Sequence, residues 1–299
     1  MWEPGRDEEP ATWGDLIGRL LSWGSADRWY RGLRRYEWGL QSRLERELLS
    51  REGPPVDLLE SMVDDARARQ IVLERERSLL HEFQDKADTF GLRDLPPAWD
   101  RLAWWELMQH HGVPTRLLDW TTSPFVALWF ALCDDPASPE DTAGDMAIWV
   151  LHKDKCDLNV RMQVRGGVGV DADKTDRRQW QNALVDAAVK SRAPAPVPVV
   201  PRSTPRAIAQ QSVLTVMTNI PIPSGAATAL RSHFTTKVRV RAAWRPDILS
   251  ACQSLGLDKS GLYRDLDTLG AAVTENWARR APDSSHAGGQ SGAASDAPE

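Results

Sequence analysis

Apolar residues return at helical spacing in the first legible stretch of the chain, as Trp13, Leu16, Ile17, Leu20 and Leu21. Ahead of them stands Thr12 with Asp15 three residues on, the order of an N-cap followed by a capping-box acid. The pattern predicts a helix over residues 12–24 that ends near Gly24. Residues 27–32 then read as a short strand carrying Trp29, Tyr30, Arg31 and Gly32. From Asp57 to Phe90 the 3.6 period runs through Leu58, Leu59, Met62, Val63 and Ala66, and again through Leu79, Leu80, Phe83, Ala87 and Phe90, which predicts helix. The dense charges from Arg67 to Arg77 fit a solvated face with i,i+4 pairs.

Pro96-Pro97 opens a helix predicted over 98–111, and Gly112 with Pro114 closes it. Ser123-Pro124 starts an almost wholly apolar helix to Cys133, read as buried, and 134–144 is a turn-rich loop. Met146 to Leu151 clusters its apolar residues as a central strand does. Residues 175–190 suit a helix. The five prolines of 193–205 demand extended chain that cannot lie in the middle of a sheet. Residues 206–218 and 235–243 read as strands around a loop holding Pro221 and Pro223, and helices are predicted over 247–255 and 261–277. Strands near 28, 146, 210 and 237 separated by long helices define an α+β fold, a mixed and mostly antiparallel, split sheet with helices packed on it. The organisation expected is an N-terminal helix within 1–25, a main domain over 26–280 and a tail over 281–299. The tail has no apolar side chain larger than alanine after Pro282, so ordering it has no compensation.

Composition narrows the chemistry. With 37 basic against 42 acidic residues and a net charge of -5, bulk charge does not hold a phosphate backbone, although a local basic groove stays open. Cys133, Cys156 and Cys252 are far apart and outside any C-x-x-C spacing, which excludes a disulfide framework and a zinc knuckle and points to a reducing, cytoplasmic setting. The acid-rich residues 1–15 do not read as a signal peptide, and no 18-residue apolar run suggests a membrane span. Fourteen tryptophans against three tyrosines are either core packing or a stacking platform for bases or a nicotinamide ring.

Three polar islands, Arg31-Gly32, 115–121 and 206–211, interrupt segments otherwise written for burial, and such islands can converge on one pocket. An arginine at a strand end followed by glycine lets a guanidinium fork reach a phosphate while backbone passes close by. The alternative is an Arg31–Asp119 ion pair that only locks the fold. Asp119 lies among apolar neighbours, the setting of a catalytic acid, and Arg116 three residues earlier is its other candidate partner. His110 stands i,i+4 from Glu106, so it is a proton shuttle, a pocket histidine with His111, or a helix cap; no third ligand has suitable spacing, and no metal is expected. Gly166-Gly167-Val168-Gly169 lacks the Gly-Lys-Ser/Thr of a phosphate loop and reads as a flexible loop. There is no Gly-x-Ser-x-Gly nucleophile element.

Four segments resemble the FRG-domain family in order and wording. They are Tyr30-Arg31-Gly32 with Tyr36-Glu37-Trp38, then Glu82-Phe83, then the thirteen residues from Gln109-His110-His111-Gly112 to Asp119-Trp120-Thr121, then Arg206 to Gln210-Gln211. The likeness spans about residues 26–270 and ends at Leu262-Tyr263-Arg264-Asp265-Leu266-Asp267. Where the family tends to follow the glutamines with glycine and phenylalanine, this chain has Ser212-Val213-Leu214. The resemblance implies a bacterial, phage-carried or defence-linked setting. The order of an arginine on an early strand, a His or Ser/Thr segment before a helix, and a Gln-bearing late strand is in turn similar to the ADP-ribosyltransferase superfamily, the favoured fold.

That second likeness implies NAD as substrate. Arg31 would take the pyrophosphate, and Gly32, His111, Thr115, Arg116, Arg206 and Gln210 would help hold the cofactor. His110, Asp119 and Gln211 would be the catalytic candidates. The superfamily glutamate that steadies the oxocarbenium-like centre aligns with Ser212, so its charge would have to come from elsewhere, with Asp119 the best substitute. The expectation is an NAD-using, ADP-ribosyltransferase-like bacterial toxin or phage-defence effector. A non-catalytic sensor or interaction module for a nucleotide, a nucleic acid or a phage protein stands against it, with a nuclease or other hydrolase third.

Overall fold

The computed structural model describes residues 7–22, 27–50, 65–91, 95–132, 144–157, 177–190, 196–201, 204–217, 234–264, 270, 273 and 274. In chain order these form β1 (Asp7–Glu8), α1 (Trp13–Ser22), β2 (Arg28–Leu33), α2 (Arg43–Ser50), α3 (Asp65–Thr89) and α4 (Arg101–His110). Next come β3 (Leu117–Thr121), α5 (Pro124–Leu132), β4 (Met146–His152), α6 (Arg177–Lys190), β5 (Pro196–Val199) and α7 (Pro205–Ala209). β6 (Ser212–Met217), β7 (Thr235–Val240), α8 (Arg245–Ser254) and α9 (Lys259–Tyr263) complete the set. The strands make one seven-stranded sheet in the order β1-β7-β4-β2-β3-β6-β5. Only β1 runs parallel to its neighbour, β7; the other pairs are antiparallel. The expected α+β class and mixed sheet are therefore the fold of this protein.

Register sorts the side chains onto two faces. Tyr30 and Gly32 stand opposite Val150 and Ile148. This half of one face is buried under Leu16 and Leu20 of α1, Ala127, Leu128 and Ala131 of α5, and Ile248 and Cys252 of α8. Farther along the same face, Leu117, Leu214, Val216 and Val199 pack with α3 and α4 through Leu80, Ala87, Leu102, Trp105 and Met108. The opposite face gathers Trp29, Leu118, Trp120, Ala147, Trp149 and Leu151. Core packing thus accounts for much of the tryptophan content. Every residue of β4 is buried, as its clustered sequence predicts. β5, with Pro196 and Pro198, is confined to the sheet edge, where missing N–H groups are tolerated.

Two local features place the site. First, the sheet is nearly parted between β2 and β3, which share the single pairing Tyr30↔Thr121. By contrast β2 pairs with β4 over six residues and β3 with β6 over five. Second, α5 presses onto β2 at Gly32. A methyl group there would overlap the Ala127 carbonyl oxygen and lie 2.7 Å from the Ala131 nitrogen. The glycine is needed for this approach, and the two facing alanines, four apart on α5, make it possible.

Several boundaries differ from expectation for identifiable reasons. α4 starts at Arg101 because Asp100 caps it, accepting from the Ala103 N–H at 3.0 Å. Residues 206–211 are not strand: Thr204 caps, Pro205 occupies the first turn, and the short helix α7 forms before β6 begins. β3 was not foreseen, since its five residues are squeezed between a turn and a helix start and show no clean alternation. Half of the predicted capping box at Thr12 and Asp15 is present: the Asp15 N–H donates to Thr12 Oγ1 at 3.1 Å, while the Asp15 carboxylate accepts from the Ala11 N–H at 3.1 Å, one residue before the cap. Residues 57–64, the loop at 134–143, the Gly166–Gly169 segment, the loop around Pro221 and Pro223, and the tail after Pro282 lie outside the described residues, as does Cys133. Among the described residues no helix is long and apolar enough to cross a membrane.

Two stability measurements check this packing. Gly32→Ala is expected to cost about 3 kcal/mol or more, the upper range for overpacking. Gly18→Ala, at an exposed α1 position with open space around it, is expected to gain about 0.5–1 kcal/mol; urea denaturation of both reads the contrast. His152 is buried with Nε2 2.9 Å from Thr236 Oγ1. Burial first, and then the charges of Arg28 and Lys155, push its pKa down to about 4. In the unfolded chain it titrates near 6.5, so between about pH 6.5 and 4 the unfolded state binds the proton and the folded state does not. Stability is therefore lost as pH falls through that window, and His152→Gln should make the decline in melting temperature shallower there than in the wild type.

Candidate functional site

The link from α4 to β3 builds the site. His111 ends the helix, its N–H donating to the Leu107 carbonyl at 3.1 Å, and Gly112 takes φ +78°, where glycine is favoured. The Val113 N–H closes the reversal on the Met108 carbonyl at 2.8 Å. The chain then doubles back through Pro114 and Thr115 into β3, which brings Gln109 of the last helical turn beside Asp119 of the strand. Gln109 Nε2 donates to Asp119 Oδ1 at 2.6 Å, and Gln109 Oε1 accepts from the Thr115 hydroxyl at 2.9 Å.

Arg31 enters from β2, just where β2 and β3 cease to pair. One guanidinium nitrogen, Nη1, donates to the Asp119 main-chain carbonyl at 2.6 Å, while the Asp119 carboxylate oxygen Oδ2 stands at 3.9 Å, beyond hydrogen-bond reach. The Arg31 side chain is 19% exposed and that of Asp119 is 59% exposed. Burial lowers the Arg31 pKa, the charge of Asp119 opposes this, and the like charge of Arg46 adds to it. A guanidinium remains a cation regardless. The mouth of the parted strands therefore holds a largely desolvated cation with a carboxylate beside it, an arrangement able to receive an anionic group and to face a developing positive charge.

Two residues along β3 from Asp119, the third polar island meets the second. The Thr121 hydroxyl donates to the Gln210 carbonyl at 2.7 Å, the Thr122 N–H to the Gln211 carbonyl at 3.1 Å, and the Thr122 hydroxyl to Gln211 Oε1 at 3.2 Å. Gln211 holds φ +47°, an uncommon conformation for a residue with a side chain. Ser212, by contrast, is a ladder residue opposite Thr121. Gln211, and not Ser212, thus presents a side chain to the Ser/Thr segment ahead of α5.

Other candidates are placed elsewhere. Arg116 does not pair with Asp119: it forms a buried two-pronged ion pair with Glu76 of α3, Nε to Oε1 at 2.6 Å and Nη2 to Oε2, with its guanidinium 5.5 Å from the Trp105 ring. Arg206 lies 4.5 Å from the Tyr263 ring and so ties α7 to α9. His110 and His111 are exposed and stacked edge to face, centroids 5.1 Å apart. Glu106, considered as a companion of His110, instead pairs with Arg178 at 2.7 Å. No group of three or more potential metal ligands occurs among the described residues. Gly32 serves the helix contact described above. Gln109, Arg46, Thr122 and Glu76 were missed. Gln109 opens the string that resembles the family and could have been weighed with it; Arg46 and Glu76 sit in charge-rich helices whose sequence gives no sign of which charges turn inward.

The fold and site together define an α+β protein whose mixed sheet nearly parts beside a half-buried arginine. Residues 26–140 match the family model of the FRG domain, a stretch that spans β2 through α5 and the whole Arg31, Gln109 and Asp119 constellation. Neither a curated protein nor a solved structure matches it.

The two arginines have different structural weight. Arg116→Met, which strips the buried Glu76 carboxylate of its two-pronged partner and leaves it only the neighbouring charge of Arg101, is expected to cost about 3–5 kcal/mol. Arg31→Ala removes one charged hydrogen bond at the mouth of the parted strands and is expected to cost about 2 kcal/mol or less. Equal losses in chemical denaturation would refute the distinction between a structural and a ligand-directed arginine.

Proposed function

We propose that the opening between β2 and β3 binds NAD and that the protein breaks its N-glycosidic bond, as an ADP-ribosyltransferase-like enzyme. The observation that carries this reading is Arg31, a desolvated cation whose hydrogen bond goes to a main-chain carbonyl and whose neighbouring carboxylate is 3.9 Å away and exposed. A guanidinium so placed suits a pyrophosphate. As the bond between the ribose anomeric carbon and nicotinamide breaks, the bonding pair leaves with nicotinamide, and the Asp119 carboxylate faces the positive charge that develops on the ribose. Water or an acceptor side chain then bonds to that carbon and loses its proton to solvent. Gln211, held at Thr122, offers a neutral amide that can orient a ribose hydroxyl but not balance charge. A toxin or phage-defence effector is the setting this activity would suit.

A second reading, a nucleotide-binding sensor without chemistry, is favoured by that same neutral Gln211 in the turn before β6. Nicotinamide release from NAD by the purified protein separates the two. The wild type is expected to release nicotinamide, and Arg31→Ala and Asp119→Asn to lose it by about 10²-fold or more while remaining folded. NAD that raises the melting temperature without being cleaved would favour the sensor. Absence of both effects would refute the NAD reading.

A further inference from the structure

We infer that Gln109 and Thr115 form a directional relay that positions Asp119, making Gln109 a positioning residue of the activity proposed above, on which this inference rests. The hydrogen-bond directions leave little choice. The Leu117 N–H donates to Thr115 Oγ1 at 3.4 Å, so the hydroxyl spends its own proton on Gln109 Oε1 at 2.9 Å. With its oxygen committed, the amide must turn its NH2 toward Asp119, and Nε2 donates to Oδ1 at 2.6 Å. Thr115 is itself fixed: it is buried, and its carbonyl accepts from the Leu44 N–H of α2 at 3.1 Å.

The result is an asymmetric carboxylate. Oδ1 is occupied by the relay, while Oδ2, 3.9 Å from the Arg31 guanidinium, has no hydrogen bond among the described residues and faces the cation that would hold the pyrophosphate. An exposed aspartate on its own samples several rotamers; here the supporting amide selects the one that presents Oδ2 beside Arg31. Supporting hydrogen bonds of this kind act on geometry, and a misplacement of about 1 Å at a reacting group costs roughly 10²-fold in rate. None of the relay's bonds involves the Arg31 guanidinium, so ligand affinity should be spared.

The test is a double-mutant cycle on the full chain, with Gln109→Met and Thr115→Val, each close in size to the residue it replaces. Nicotinamide release from NAD is followed as kcat and KM, and folding by melting temperature. The relay predicts that Gln109→Met lowers kcat by about 10- to 100-fold with KM within twofold. Thr115→Val should lower kcat less, and add nothing further in the Gln109→Met background, because the chain is already cut. Full additivity of the two losses, or a kcat unchanged in Gln109→Met, would overturn the relay. If the wild type releases no nicotinamide, the NAD reading fails separately, and the relay is then judged by the Gln109 side-chain NH2 signals in NMR. Distinct, slowly exchanging signals that collapse in both Thr115→Val and Asp119→Asn support it; signals indifferent to both substitutions overturn it.

Discussion

The contact between Gly32 and α5 is the constraint from which the arrangement of this protein follows. Strand β2 lies against a helix so closely that even a methyl group would collide with the Ala127 carbonyl. That helix begins directly after β3, so the contact fixes the strand carrying Arg31 relative to the strand carrying Asp119. The two strands pair once, at Tyr30 and Thr121. Past that point side chains replace ladder bonds, with the Arg31 guanidinium taking the Asp119 carbonyl. A strand carbonyl that has lost its ladder partner needs another donor; here an arginine supplies it and brings its charge to the opening.

The same physics explains why neighbouring arginines have different fates. Arg116 is enclosed on the α3 and α4 side and is matched by both oxygens of Glu76, so its charge is spent on the fold. Behind the site Glu45 is also buried; it caps α2 through its bond from the Ser42 N–H, and burial raises its pKa against the pull of that bond and of the nearby Arg116 and Arg46 charges. Arg31, by contrast, keeps a carboxylate within the range of ion pairing but outside hydrogen-bond range, with Arg46 adding a like charge. The Arg116 charge is thus matched within the interior, while that of Arg31 at the mouth of the parted strands is met only at a distance, the electrostatic basis of the proposed binding site.

Much of this was legible in the sequence because strong local signals agreed with the fold. The α1 capping pattern, the apolar run of β4 and the prolines of β5 each report a local environment that tertiary structure did not override. The meetings of Arg31 with Asp119 and of Thr121 with Gln210 follow the expectation for polar islands in buried segments, whereas Thr122, the partner of Gln211, lies just outside the island at 115–121. What could not be read was the direction of each charge. Arg116 and Arg31 look alike in a string, and only the packing of α3 against α4 turns Glu76 toward the first. Residues 206–211 read as strand in continuity with 212–218, but Thr204 and Pro205 start a helical turn there. Gln109 escaped notice because glutamine at a helix end is ordinary until the reversal at Gly112 brings β3 alongside it.

If a phosphate-bearing ligand binds in the opening between β2 and β3 and not on some other surface, a crystal structure of the protein grown with ADP-ribose will show it there. The diphosphate is expected on the Arg31 guanidinium, with the ribose nearest the nicotinamide position facing Asp119 Oδ2. A diphosphate bound away from Arg31, or a vacant opening at millimolar ligand, would contradict it.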